Sequence, residues 1–193
     1  MAFGLEVINS HGTVLIDDTY RNLAVRSQGS YPAQSPPIAD LTAIAAQDFD
    51  YASFNWWRFG PPVSGGGWGL QVFNAAGQVT FDSSQKYARV VDVYSDVPAA
   101  GAGMVTKNYP SGRAYAAITS LLFYSVWETR GSGIGTEYRV LDYRLRTRIN
   151  GGQVQTMWHE TVAIDWQPAP GVVPTFPIPT YDTRVIVLDV TGY

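Results

Sequence analysis

Apolar and polar side chains alternate in two short runs near the start of the chain. Leu5 and Val7 precede Asn9-Ser10-His11-Gly12, and Val14 and Ile16 follow it. A period of two marks a strand, because successive Cβ atoms of an extended chain point to opposite faces. Asn opens turns by bonding its own backbone, and Gly takes positive φ near the turn's end. The pattern therefore predicts a β-hairpin. It returns 65 residues later, with Leu70 and Val72, then Asn74-Ala75-Ala76-Gly77, then Val79 and Phe81. Between residues 3–17 and 68–82, seven of fifteen aligned positions are identical: Gly4/Gly69, Leu5/Leu70, Val7/Val72, Asn9/Asn74, Gly12/Gly77, Val14/Val79 and Asp17/Asp82. Chance gives roughly one. Other pairs are close in type, such as Phe3/Trp68, Glu6/Gln71 and Ile16/Phe81. The chain carries an internal duplication, and two copies at this spacing predict two similar β units packed together rather than a solenoid. A third strand is expected after each hairpin, near residues 21–26 and 87–94.

Between the copies the pattern is less legible. Residues 27–37 are a loop by composition, and 38–47 fit a short helix or a strand. Residues 49–59 are aromatic and strand-like. In the second half, the long apolar stretch 114–128 favours a strand without excluding a helix. Residues 138–149 alternate, with Leu141, Tyr143, Leu145 and Ile149 on one face and Asp142, Arg144, Arg146 and Arg148 on the other. Asn150-Gly151-Gly152 and a second alternating run, 153–164, complete a strong hairpin signal. Residues 166–181 hold Pro168, Pro170, Pro174, Pro177 and Pro179, which suit only an extended loop or arm, and are candidates for binding along a neighbouring protein. Residues 184–190 form a last strand. The expectation is an all-β chain, an antiparallel sandwich with a duplicated hairpin. It divides into a unit at 1–100, with the motif at 3–26 and 68–92, and a half at 113–193, either separate or merged into one domain.

Composition narrows the chemistry. The 193 residues contain no cysteine, which excludes disulfides, thiolate metal sites and cysteine nucleophiles. No apolar run approaches a membrane span. No basic and then apolar leader is visible, which predicts synthesis in a cytoplasm. A net charge of −3 supplies no field to attract nucleic acid. Charged residues are 15% of the chain, against about 25% in typical domains. Of 13 basic residues only Lys86 and Lys107 are lysine, beside 12 Tyr and 6 Trp. Interfaces favour Tyr, Trp and Arg and disfavour Lys, so the balance fits a chain that hides surface in an assembly.

Catalytic constellations are scarce. His11 lies in a predicted turn where the other copy has Ala76, and His159 lies mid-strand. Asp17/Asp18 and Asp48/Asp50 are carboxylate pairs in sequence, but glycosidase chemistry needs two acids across a cleft. Asp17 recurs as Asp82 at a strand end, where a carboxylate caps the next turn. The glycines of 131–136 lack the lysine and spacing of a phosphate loop. The reading is a protein with no catalytic residue, no metal and no cofactor. Arg144, Arg146 and Arg148 form an arginine ladder, suited to acids across the sheet such as Glu160, or to a protein contact. Trp56 and Trp57 point to opposite faces, so one sheet's core takes at most one of them. The other is a candidate for stacking on a sugar or filling a partner's pocket.

The duplicated phrase, with "GLQVFNAAGQVTFDSS" at 69–84, resembles a motif of the form GLxVxNxxGxxxFDSS in small virion proteins of long-tailed bacteriophages. The first copy departs from it at "IDDT", residues 16–19. The resemblance implies a β-rich structural protein of the tail tip or tail-fibre attachment. Such a protein is made in the bacterial host cytoplasm, docks to other phage tail proteins and to its own copies, and resides in the virion. It supplies no catalytic residues. The alternative is a carbohydrate-binding β-sandwich that recognises a host-surface glycan.

Overall fold

The computed structural model describes residues 7–8, 14–16, 22–36, 41–65, 68–98, 103–119, 123–130, 137–166 and 183–193. No helix occurs among them. The first hairpin pairs β1 (Val7–Ile8) with β2 (Val14–Ile16), and β3 (Ala24–Tyr31), β4 (Leu41–Ala46) and β5 (Phe54–Gly60) follow. The second hairpin pairs β6 (Gln71–Phe73) with β7 (Val79–Asp82). Then come β8 (Val90–Tyr94), β9 (Val105–Asn108), β10 (Tyr115–Thr119), β11 (Phe123–Arg130), β12 (Glu137–Asn150), β13 (Gln153–Trp166) and β14 (Val185–Asp189). Two larger antiparallel sheets result, one in the order β3-β5-β4-β10-β14-β8 and one in the order β11-β12-β13-β9.

The duplication is visible in the pairing. In the first hairpin Val7 faces Ile16 and Ile8 faces Val14, with an irregularity between Val7 and Ile8. In the second, Val72 faces Phe81 and Phe73 faces Val79, with the irregularity at the matching place. Each pair lies 65 residues after its counterpart. The segments after the hairpins also meet each other. The Val25 N–H donates to the Lys86 carbonyl, the Ala88 N–H donates to the Leu23 carbonyl, and Ala24 sits opposite Tyr87. Leu23 and Ala88 are themselves 65 residues apart, so equivalent segments of the two repeats pair antiparallel with each other. The strands that continue from them, β3 and β8, then occupy opposite ends of the six-stranded sheet.

The two larger sheets face each other over one core. Tyr94, Tyr115, Ala117, Val185 and Val187 of the six-stranded sheet pack on Leu145, Ile149, Val154 and Trp158 of the four-stranded one. The Tyr94 and Thr156 hydroxyls share a 2.8 Å hydrogen bond inside it, which satisfies both in a dry setting. The other face of the six-stranded sheet is apolar too, with Ala43, Phe59, Ala116, Leu188 and Val190 buried against Leu23, Ala88 and Tyr193. Strands buried on both faces lose the alternating pattern. This is why residues 38–47 and 114–128 read ambiguously: the first contains β4, and the second contains β10 and β11, which belong to different sheets. Residues 49–53, expected within a strand, instead form the connection from β4 to β5. Strands from both halves of the sequence share the six-stranded sheet, four from below residue 100 and two from above 113.

Removing Trp158 opens the centre of the sandwich, whereas Val93 is 55% exposed on β8. Trp158→Ala should cost about 3–5 kcal/mol, and Val93→Ala about 0.5 kcal/mol or less, read from urea midpoints.

Candidate functional site

The arginine ladder faces a loop of its own chain. Residues 47–53 leave the six-stranded sheet and lie over β12 and β13 of the other. The Arg146 guanidinium donates to the Phe49 carbonyl at 2.7 Å and sits 4.8 Å from the centre of the Tyr51 ring. Arg148 lies 5.0 Å from the centre of the Phe49 ring and donates to the Gln155 side chain. Arg144, at the far end of the ladder, is exposed and opposite His159. The ring of His159 stacks on Phe49, and its Nε2 is 2.9 Å from the Asp50 carboxylate. Asp50 is largely exposed, so the pair contributes at most about 1 kcal/mol. Each cation–π contact adds about 0.5–1 kcal/mol. Glu160 lies opposite Tyr143 in the ladder.

Tyr51 anchors the loop. β11 ends opposite Arg144, so the β12 backbone beyond it has no strand partner on that side among the described residues. There the Thr147 N–H donates to the Tyr51 hydroxyl at 2.9 Å, and the Thr147 hydroxyl is 3.3 Å away. Burial pushes the phenol up from its ordinary range, and the Thr147 hydrogen bonds and the Arg146 charge oppose that only in part. The backbone at Tyr51 has φ +57°. That conformation costs a bulky residue about 1–3 kcal/mol, and the buried bond and the guanidinium contact hold it in place. Phe54 continues the aromatic row, between Tyr51 and Tyr31.

The two adjacent tryptophans differ in burial. Trp56 is 1% exposed and donates from Nε1 to the Gln34 carbonyl at 3.0 Å. Its ring covers Gly29, where a Cβ would come within 2.7 Å. Trp56 therefore offers no stacking face, because β3 packs on the side that a sugar would need. Trp57 is half-buried on the second apolar face, with its Nε1 enclosed and without a hydrogen-bond partner among the described residues. Pro168, Pro170, Pro174, Pro177, Pro179, His11, Asp17 and Asp18 lie outside the described residues. Among those described, no three His, Asp or Glu side chains gather as metal ligands, and no helix is long and apolar enough to cross a membrane.

The repeat motif also has a structural explanation. Asn74 accepts from the Ala76 and Gln78 N–H groups, and Gly77 follows at φ +74°. Asp82 is almost wholly buried and accepts four bonds: from the Ser84 hydroxyl and N–H, the Gly65 N–H and the Gln71 amide. Those bonds, the Ser84 hydroxyl first, hold its carboxyl below the ordinary range against the smaller effect of burial. Asp82 ends β7 and ties the turn after it to residue 65, the capping role expected at this position. Ser83 accepts from the Leu70 N–H at 2.8 Å, and a side chain on Gly69 would strike its hydroxyl.

Comparison with protein-family models, with curated proteins and with solved structures found no match to this chain.

Tyr51→Phe keeps the ring over Arg146 but strands the Thr147 N–H. It should cost about 1–3 kcal/mol in chemical denaturation. Because the Asp82 carboxyl is lowered in the fold, its contribution is complete above the unfolded value of about 3.9 and fades as pH falls toward the folded one. The stability gap between the natural protein and Asp82→Asn should be constant from pH 7 to pH 5 and shrink below about pH 4. A gap that stays constant to pH 2.5 would contradict this assignment.

Proposed function

We propose that the chain is a structural protein of a bacteriophage tail, at the tail tip or where fibres attach, and that it acts by docking to other tail proteins rather than by catalysis. The observation that carries this reading is the duplicated phrase, GLxVxNxxGxxxFDSS in the second copy and ending in IDDT in the first, whose two copies form hairpins of the same register. Two further features support it. The groups that drew attention as chemistry are engaged within the fold: Arg146 and Arg148 on the loop at residues 47–53, His159 on Asp50, and Asp82 on its own turn. The lysine-poor, Tyr- and Arg-rich composition suits protein contacts. On this reading the protein is made in the bacterial host cytoplasm and resides in the virion. The glycan-binding alternative depended on a free face of Trp56 or Trp57. With Trp56 in the core and Trp57 half-buried, no observation at that pair favours it.

Quantitative mass spectrometry of purified virions tests the proposal. The protein should be present at a fixed copy number per particle, and particles should still contain it when His159→Ala or Asp82→Asn replaces the natural chain. Its absence from particles would overturn the reading.

A further inference from the structure

The turn at residues 189–193 gathers three cations around one carboxylate. Asp189 ends β14 with its side chain only 5% exposed. Its two oxygens accept from different arginines, Oδ1 from Arg89 Nη2 at 3.3 Å and Oδ2 from Arg113 Nη1 at 2.9 Å. Arg89 also donates to the Asp189 and Thr191 carbonyls. Lys86 donates to the Gly192 carbonyl, and its Nζ and the Arg89 guanidinium both lie within 5.6 Å of the centre of the Tyr193 ring. Lys86, Arg89 and Arg113 thus meet on one turn. Among the described residues, Asp189 is the only acidic side chain within ion-pair distance of any of them.

The fold accounts for one of these cations. A buried carboxylate requires a partner, but each further cation beside the first meets like-charge repulsion. One carboxylate among three cations leaves two positive charges unmatched, in a chain whose net charge is −3. The unmatched charge is accessible: Lys86 is exposed, and the side chains of Arg89 and Arg113 are 47% and 56% exposed. Arg89 Nη1 and Arg113 Nη2 make no hydrogen bond among the described residues, while the bonds to Asp189 hold both guanidiniums in place. We infer that Lys86, Arg89 and Arg113 form a binding site for a phosphate monoester. The planar fork of a guanidinium matches phosphate oxygens, and a lysine adds a point charge. A phosphate monoester carries about −1.5 to −2 at neutral pH, close to the charge left unmatched. A carboxylate or a phosphodiester link brings only one negative charge. The acidic balance of the whole chain opposes a long polyanion such as nucleic acid, but not a single small group. Free phosphate, a sugar phosphate and a phospholipid headgroup all offer that group.

The site goes beyond the docking reading, and it stands or falls whether or not the protein is found in virions. Nuclear magnetic resonance titration of the full chain with inorganic phosphate, at about pH 7, is the test. The amides of residues 86, 89, 113, 114 and 191–193 should shift along one saturable curve. Lys86→Gln/Arg113→Gln should weaken binding at least about tenfold. Both side chains are exposed and Arg89 still pairs with Asp189, so amides elsewhere should keep their positions in that variant. Lys107→Gln, removing the other lysine, should bind phosphate as the natural chain does. Tighter binding of a hexose 1-phosphate than of free phosphate would support the site and assign it to a sugar phosphate. Co-sedimentation with phosphatidylcholine vesicles containing phosphatidic acid, lost in the double variant, would support it and assign it to a lipid headgroup. The proposal is overturned if none of the three phosphates gives a saturable shift or if the double variant binds at natural strength. It is also overturned if acetate or a DNA oligonucleotide binds as tightly as phosphate.

Discussion

The fold depends on one contact, the burial of Tyr94, Tyr115, Val185 and Val187 against Leu145, Ile149, Val154 and Trp158. A sheet with an apolar face must cover it, and here the four-stranded sheet does so. The order of the larger sheet follows from this. Its central strands β4, β10 and β14 are buried on both sides and therefore rich in Ala, Val and Ile. The Tyr94–Thr156 hydrogen bond sets one polar pair inside an otherwise apolar layer, and a buried polar pair of this kind disfavours sliding of one sheet over the other.

Around that contact the polar residues are used to fasten rather than to react. Arg146 and Arg148 hold the loop at residues 47–53 across the sheet boundary, and the Tyr51 hydroxyl accepts from the Thr147 N–H. Asp189 does similar work at the opposite end. It accepts from Arg113 at 2.9 Å and from the Thr191 N–H, and it pairs with Arg89 at 3.3 Å. Its burial raises the carboxyl's pKa, and these partners together outweigh that and lower it. Both arrangements join segments far apart in sequence, and this kind of closure is what holds non-local β structure together.

Much of this was legible in the residues. The hairpins were readable because Asn, Gly and a period of two are local signals, and the turn at Asn150-Gly151-Gly152 joins β12 to β13 as the alternation predicts. The role of Asp82 as a cap was readable for the same reason. The partners of the arginines were not: Phe49 and Tyr51 stand about 97 residues away, and no periodicity reports a contact at that range. The only available sign was the run Phe49-Asp50-Tyr51, whose aromatics and acid complement a row of guanidiniums. The burial of Trp56 was hidden similarly, because Gly29, the residue that makes room for its ring, is on another strand.

The central claim is that strands from both halves of the chain form one cooperative sandwich around the contact between the two larger sheets. Native-state hydrogen exchange measures this directly, because amides in one cooperative unit open with one free energy. The slowest-exchanging amides of β4, β5, β10, β12, β13 and β14 should converge on a single opening free energy and respond together to Trp158→Ala. If β4 and β5 instead keep their protection while β12 and β13 lose theirs, the two halves are independent units and the account is wrong.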